Sequence, residues 1–340
     1  ITGATIITHG YQLFGAGEGD SMLSLAQAIQ QRADALNGSD GAWLLDLDVV
    51  NGQTQYDLTG TTATIGRGEL SILFDWAAES NDGTPGWTEA AGDALFSLVV
   101  DLGLVDLTGD HSDQIPLHFI AHSFGSAVTT EAVERLAYYE VPVDQVTFLD
   151  PHDFDQSGLL FDAPNETGQS ELNLPAGYGA TIWDNVHFAD VYYETRGLNG
   201  VPLDGDLPVP RGRPISGAYN VWLDTELPPE SPNPYSSLNF AGDHSYVWDT
   251  FYRATVLGHL PEGGKGPQVA VDYYRTGWAF SHIAREADRD GDPNNNDSLA
   301  WPAAEFFNDT GRPAQDHRYS VETIVDRASG LPKLDGLASL

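Results

Sequence analysis

The residues with the clearest capacity for chemistry form the run Ala121-His122-Ser123-Phe124-Gly125, where a serine stands between small residues as an apolar stretch gives way to helical spacing. Leu117, Phe119, Ile120 and Ala121 read as a buried strand, and Val128, Ala132 and Leu136 recur at four-residue intervals, as one face of a helix does. Strand, sharp corner and helix are the setting of the nucleophile elbow G-x-S-x-G, in which a strained corner turns the serine Oγ outward. Ala121 takes the place of the first glycine and adds one methyl group, which such a corner can hold. The competing interpretation is an ordinary strand-to-helix loop whose serine caps the helix.

A serine hydroxyl is a poor nucleophile until a base takes its proton, and the base needs a carboxylate to fix its tautomer and to stabilise the imidazolium. Where an elbow serine acts this way, the acid and then the histidine follow it along the chain. Of ten histidines, His9, His111, His118 and His122 precede or abut Ser123, while His152 and His187 stand close to or inside strands. That leaves His244, His259, His282 and His317. His244 is preferred because Ala241-Gly242-Asp243-His244 reads as a loop delivering into a helix, with a helix-capping surface histidine as the alternative. For the acid, Asp150 ends a strand one helix and one strand beyond the serine, which places it beside the elbow; Asp190 and Asp184 are the fallbacks. An aspartate before proline is also a common turn residue, so a plain turn is the rival for Asp150. A developing oxyanion needs two backbone donors, and the amides of Phe124 and Tyr11 fit. Gly10 would then let the backbone approach the substrate carbonyl, and His9 would hold the loop by hydrogen bonds.

These residues must be carried by a sheet. Ala4 to Thr8 reads as a short buried strand, and Leu25, Ile29 and Leu36 share one side of a helix that Asp20 or Ser21 can cap. Trp43 to Val50 and Gln53 to Thr59 read as a hairpin turning at Asn51-Gly52. Leu70 to Trp76, Val146 to Leu149 and Val186 to Glu194 are further strands, with a helix carrying Ala91, Leu95, Leu98 and Leu102 between the first two. Such alternation predicts an α/β class with a mostly parallel sheet flanked by helices, whose chemistry gathers beyond the carboxyl ends of the strands. The Pro- and Gly-rich text from about 200 to 242 suggests long irregular insertions over that face. Val247, Trp248, Phe251, Tyr252 and Thr255 suggest a closing helix. The expected organisation is therefore a catalytic domain over 1–260 and a C-terminal extension packed on it over 261–340.

The order of several short landmarks adds a resemblance. The elbow resembles that of the α/β-hydrolase superfamily. More narrowly, His9-Gly10-Tyr11, Phe74-Asp75-Trp76 followed by Gly86-Trp87-Thr88-Glu89-Ala90-Ala91, then His122-Ser123-Phe124-Gly125 and Leu149-Asp150-Pro151, resemble in order the pancreatic-type triacylglycerol lipases over residues 4–155. The resemblance implies the α/β-hydrolase fold, Ser123 as nucleophile, Asp150 as acid, the amides of Tyr11 and Phe124 as oxyanion donors, and ester hydrolysis. The chain departs from that family in having Ala121, no disulfides to hold a lid and no recognisable lipid-binding sandwich domain, which detaches the triglyceride substrate from the catalytic assignment.

Composition bounds the setting. With no cysteine, thiol nucleophiles, disulfides and Cys-ligated zinc are excluded. Fifty acidic against fifteen basic residues give −35, a charge that repels nucleic acid and anionic membranes and that salt or bound cations must screen. A secreted, bacterial or archaeal protein from a saline or calcium-rich medium is the expectation, with simple solubility as the bland account. The opening Ile1 fits removal of a secretory signal, although a chain trimmed in another way would look the same. No apolar run reaches the roughly 18 residues that cross a bilayer. Asp288, Asp290, Asp292, Asn294 and Asn296 set oxygen ligands at alternate positions, as calcium loops do, but Pro293 stands where the loop glycine belongs and no Glu closes it. Structural calcium there competes with a solvated acidic turn, and no cofactor is needed for the chemistry. Trp183, Tyr192, Tyr193, Tyr219, Trp222, Tyr235, Phe240, Tyr246 and Trp248 crowd the second half. Most would be core, and a few would suit an apolar acyl, aromatic or polyester substrate. The rival in a different class is a catalytically silent, calcium-stabilised binding or adhesion module of the same fold.

Overall fold

A computed structural model describes residues 1–11, 22–37, 41–50, 53–60, 68–80, 85–109, 111–153, 179–194, 212–215, 217–223, 242–259 and 277–283. The predicted first strand is β1 (Gly3–Thr8), followed by α1 (Leu23–Asn37) and the hairpin of β2 (Ala42–Val50) and β3 (Gln53–Gly60). Next come β4 (Glu69–Phe74), a short α2 (Ala77–Ser80) and α3 (Pro85–Asp101). The second half holds β5 (Leu117–His122), α4 (Gly125–Tyr138), β6 (Val143–Leu149), β7 (Val186–Tyr193) and β8 (Tyr219–Trp222). It closes with α5 (Gly242–Tyr246), a π-helical stretch (Val247–Tyr252), α6 (Arg253–Leu257) and a 3₁₀ turn (Gly277–Phe280).

The strands form one eight-stranded sheet in the order β3-β2-β4-β1-β5-β6-β7-β8. Among the described residues only the β2–β3 pair is antiparallel. Every residue of β1, β4 and β5 is buried, as parallel strands covered on both faces require, and this explains their mostly apolar composition. Adjacent residues face opposite layers because side chains alternate along a strand. Ile6, Phe119, Phe148 and Val191 meet Leu95 and Val99 of α3 and Val128, Ala132 and Leu136 of α4. Their neighbours Ile7, Ile120, Leu149 and Tyr192 meet Leu25 and Ile29 of α1, Val256 of α6, and Tyr252 and Trp278. Trp76, Trp183, Trp278, Tyr192 and Tyr252 are almost wholly enclosed. At about 200 Å² per ring, each contributes about 5 kcal/mol of gross hydrophobic stabilisation. This mostly parallel sheet, helix-covered on both sides, with a serine corner between its central strand and α4, is an α/β-hydrolase fold.

Two expectations change. The Pro- and Gly-rich excursion is not irregular throughout, since it supplies β8, which extends the sheet parallel to β7. Four residues among turn formers carry too short an alternation to be read as a strand. β4 ends at Phe74 rather than Trp76, because Trp76 leaves the ladder and turns inward. α3 starts at Pro85, a residue preorganised for a first helical position. Part of the text beyond 261 reaches the core through Trp278 and His282, while the acidic run Asp288, Asp290, Asp292, Asn294 and Asn296 lies outside the described residues.

Candidate active site

Ser123 follows the last residue of β5 and has φ +54°, a left-handed conformation that costs a non-glycine residue about 1–3 kcal/mol. Its neighbours hold it there. Ser123 N–H donates to Leu149 O across the strand ends (3.0 Å), and its carbonyl accepts from Ser126 N–H (3.1 Å) at the start of α4. A Cβ on Gly125 would lie 2.3 Å from the His9 carbonyl oxygen, so the corner closes against the end of β1 only with glycine. Gly10 is equally tight, since a Cβ there would come within 2.5 Å of Ser123 Cβ and 3.1 Å of Ser123 Oγ. The backbone leading into Tyr11 therefore lies against the serine.

His9 holds that loop as expected. Trp76 N–H donates to His9 Nε2 (3.0 Å), which requires a bare nitrogen and puts the ring proton on Nδ1, donated to Gly10 O (2.8 Å). Asp75 Oδ1, 3.1 Å from the same Nε2, accepts instead from Ala77 N–H at 2.8 Å. Trp76 Nε1–H also donates to His9 O (2.7 Å), and its ring reaches those of His9 and Phe124. The landmark residues His9, Asp75, Trp76 and Phe124 thus form one scaffold behind the corner. Among the described residues Tyr11 N–H has no partner, which leaves it available to a ligand.

The structure brings Asp150 and His244 together across 94 positions of sequence. Asp150 follows β6 with φ +47°, and its N–H donates to Tyr192 O (2.6 Å). Its Oδ1 accepts from Glu194 N–H (2.8 Å) and its Oδ2 from His244 Nδ1–H (2.5 Å). Gly212 seals the carboxylate, since a Cβ there would fall 2.0 Å from Oδ1. Nearby, Arg213 grips Asp153 with Nε and Nη2 at 2.9 and 2.8 Å, and Ala180 N–H donates to the same Asp153. Both members of the Asp150–His244 pair are buried. Burial holds His244 well below the usual histidine range, and the ring of His152, 6.4 Å away, acts in the same direction. The resting imidazole is therefore neutral, with Nδ1 protonated toward Asp150 and the Nε2 lone pair open. Among the described residues Ser123 Oγ and that Nε2 make no hydrogen bond to each other. Such contacts commonly tighten only when substrate is present.

Its place next to the serine argues against His122 as the base, yet its ring lies at this site. Its ring lies 4.4 Å from that of His244, and its Nε2 is 3.2 Å from the His244 carbonyl. Neither this contact nor the Glu194 amide nor the Arg213–Asp153 pair has a sequence signal, since each depends on which loops meet.

The fallback acids are elsewhere. Asp190 accepts from Thr147 Oγ1 (2.6 Å) and Gln145 Nε2 (3.0 Å) inside the sheet rather than from a histidine of the site. Asp184 is exposed in the turn before β7, at the amino end of that strand, away from the carboxyl ends. Exposed His259 bonds to Leu257 O, His282 pairs with buried Glu69 at 2.8 Å, and His317 lies outside the described residues. Among the described residues no group of three His, Asp or Glu could hold a metal ion, and no helix is long and apolar enough to cross a membrane.

No protein-family model matches the chain, and no curated protein matches its sequence. Solved structures do match, distantly. One is a protein from Lactobacillus plantarum named as a cell surface hydrolase, 14% identical, covering 61% of this chain and 72% of its own, with a TM-score of 0.32. Another is phospholipase PlaB from Legionella pneumophila in complex with thio-NAD, 13% identical, with a TM-score of 0.35; the match covers 85% of this chain but 62% of the phospholipase.

Proposed function

We propose that the chain is a secreted serine hydrolase of carboxylic esters, with Ser123 as nucleophile, His244 as general base and Asp150 as the acid that orients it. The observation that carries this reading is the buried Asp150–His244 hydrogen bond at the same ends of the strands as a serine in a left-handed corner. A neutral imidazole with Nδ1–H fixed on a carboxylate is the form that accepts a hydroxyl proton at Nε2. In the cycle, Ser123 Oγ attacks the ester carbonyl carbon as its proton passes to His244 Nε2. The amides of Phe124 and Tyr11 would receive the oxyanion. Collapse of the tetrahedral adduct breaks the ester C–O bond, and the leaving alkoxide takes the proton from His244. Water, deprotonated by the same Nε2, then hydrolyses the acyl-enzyme and frees Ser123.

The pancreatic-type order of landmarks supports an ester substrate, and the aromatic second half supports an apolar acyl or aromatic one. The charge of −35 suits a saline or calcium-rich extracellular medium. The test is Ser123→Ala assayed with p-nitrophenyl esters of rising acyl length, together with fluorophosphonate labelling of the parent. Loss of turnover with the fold intact, and label on Ser123, are the expected results. Turnover retained by the alanine variant would overturn the reading, and absence of label in the parent would point to a silent binding module.

A further inference from the structure

We infer that His122 is a positioning residue for the base, holding the main chain of His244 in place from the nucleophile's own strand; this rests on the reading of His244 given above. A base contributed from a distant segment must be fixed at two points, its ring and its backbone. Asp150 fixes the ring. The backbone sits in α5, the first turn of a helical run that continues through Val247–Tyr252 and α6, and the end turn of a helix frays unless outside contacts hold it. His122 supplies such a contact. It is the last residue of β5, held in a strand buried along its whole length, and its Nε2 faces the His244 carbonyl oxygen at 3.2 Å. A carbonyl only accepts, so this nitrogen carries the ring proton and Nδ1 is bare.

The environment keeps it in that form. Burial drives His122 well below the usual histidine range, and the nearby His244 and His9 rings disfavour a positive charge further. Its ring packs at a tilt against His244 at 4.4 Å and reaches Trp248 at 6.1 Å, so base, positioning residue and the following helical stretch are in mutual contact. Because residue 122 is bonded directly to Ser123, the hydrogen bond couples base and nucleophile through a single peptide link. A shift of the corner carries the base with it.

The test compares side chains that can and cannot reach the carbonyl. Glutamine sets its amide nitrogen four bonds from Cα, as His122 sets Nε2, whereas asparagine falls one bond short and phenylalanine keeps the ring but donates nothing. With p-nitrophenyl butyrate, His122→Asn and His122→Phe are expected to lower kcat about 10–100-fold with KM nearly unchanged, the scale of an ångström misplacement. His122→Gln is expected to recover kcat to within about threefold of the parent, because the donor alone is restored. Circular dichroism checks folding, and should the Asn variant fail to fold, Gln against Phe carries the same comparison. Equal losses in the Gln and Asn variants, full activity in the Asn variant, or a loss confined to KM would overturn the role of His122. Ser123→Ala and His244→Ala run alongside separate the two failures. If these keep the parent's turnover, the reading of the site falls; if they abolish it while Gln and Asn behave alike, only the positioning role falls.

Discussion

Replacing Asp150 by asparagine tests the proposed relay most directly, because the structure dictates how the new side chain must sit. Oδ1 of Asp150 accepts from Glu194 N–H at 2.8 Å, while Oδ2 faces His244 Nδ1 at 2.5 Å. In the variant the amide oxygen keeps the Glu194 contact, since an NH₂ there would oppose another N–H. The NH₂ group is then turned onto His244 and forces Nδ1 to be the acceptor. The ring proton moves to Nε2, where it blocks the nitrogen that should deprotonate Ser123. The lost charge adds to this. For unit charges about 4 Å apart at an effective dielectric of about 20, the carboxylate stabilises the imidazolium by about 4 kcal/mol. That is a factor of about 10³ in rate, and the wrong tautomer extends it toward about 10⁴. The assay is kcat for p-nitrophenyl butyrate, with KM and circular dichroism as controls and the burst separating acylation from deacylation. A folded Asp150→Asn enzyme within tenfold of the parent would refute the argument, as would a larger loss in Asp190→Asn.

Gly10→Ala brings a methyl group within 2.5 Å of Ser123 Cβ and is expected to cost about tenfold or more in kcat, read from burst kinetics; an unchanged burst would show that the loop gives way. Asp190 is a stability site, since burial raises its pKa from 3.8 to about 6 despite the bonds from Thr147 and Gln145. A carboxyl whose folded pKa is raised contributes stability below its unfolded value and loses it as pH rises through about 6. Asp190→Asn should therefore match the parent near pH 4 and exceed it by up to about 3 kcal/mol at pH 7.5 in urea unfolding, whereas a variant no more stable than the parent at pH 7.5 refutes this. Arg213→Met strips the bidentate partner from buried Asp153 and is expected to destabilise the fold by about 3 kcal/mol, with Ala180 N–H still donating. A change below about 1 kcal/mol in the unfolding free energy would mean that the carboxylate neutralises or finds water.

The local signals in this chain survive folding because they are local. Apolar runs such as Leu117 to Ala121, the four-residue spacing of Val128, Ala132 and Leu136, and small residues around Ser123 fix strand, helix and corner without distant contacts, and their alternation constrains the sheet to be parallel. Asp150 could be singled out because consecutive strands lie side by side, so the residue after β6 ends beside the elbow. β8 escaped because four residues carry almost no periodicity, and its place is set by pairing with β7. Asp190 and Asp150 are both aspartates on neighbouring elements. What separates them is whether the carboxylate lies inside the sheet beside Thr147, with which Asp190 pairs, or beyond its edge beside His244, a step of a few residues along the ladder that composition does not encode. The same holds for His122, whose chemistry comes from the carbonyl that happens to lie opposite its ring. Sequence determines what each residue can donate or accept; tertiary structure alone decides which partner is within 3 Å, because hydrogen bonding and desolvation act over distances far shorter than the loops that bring those partners together.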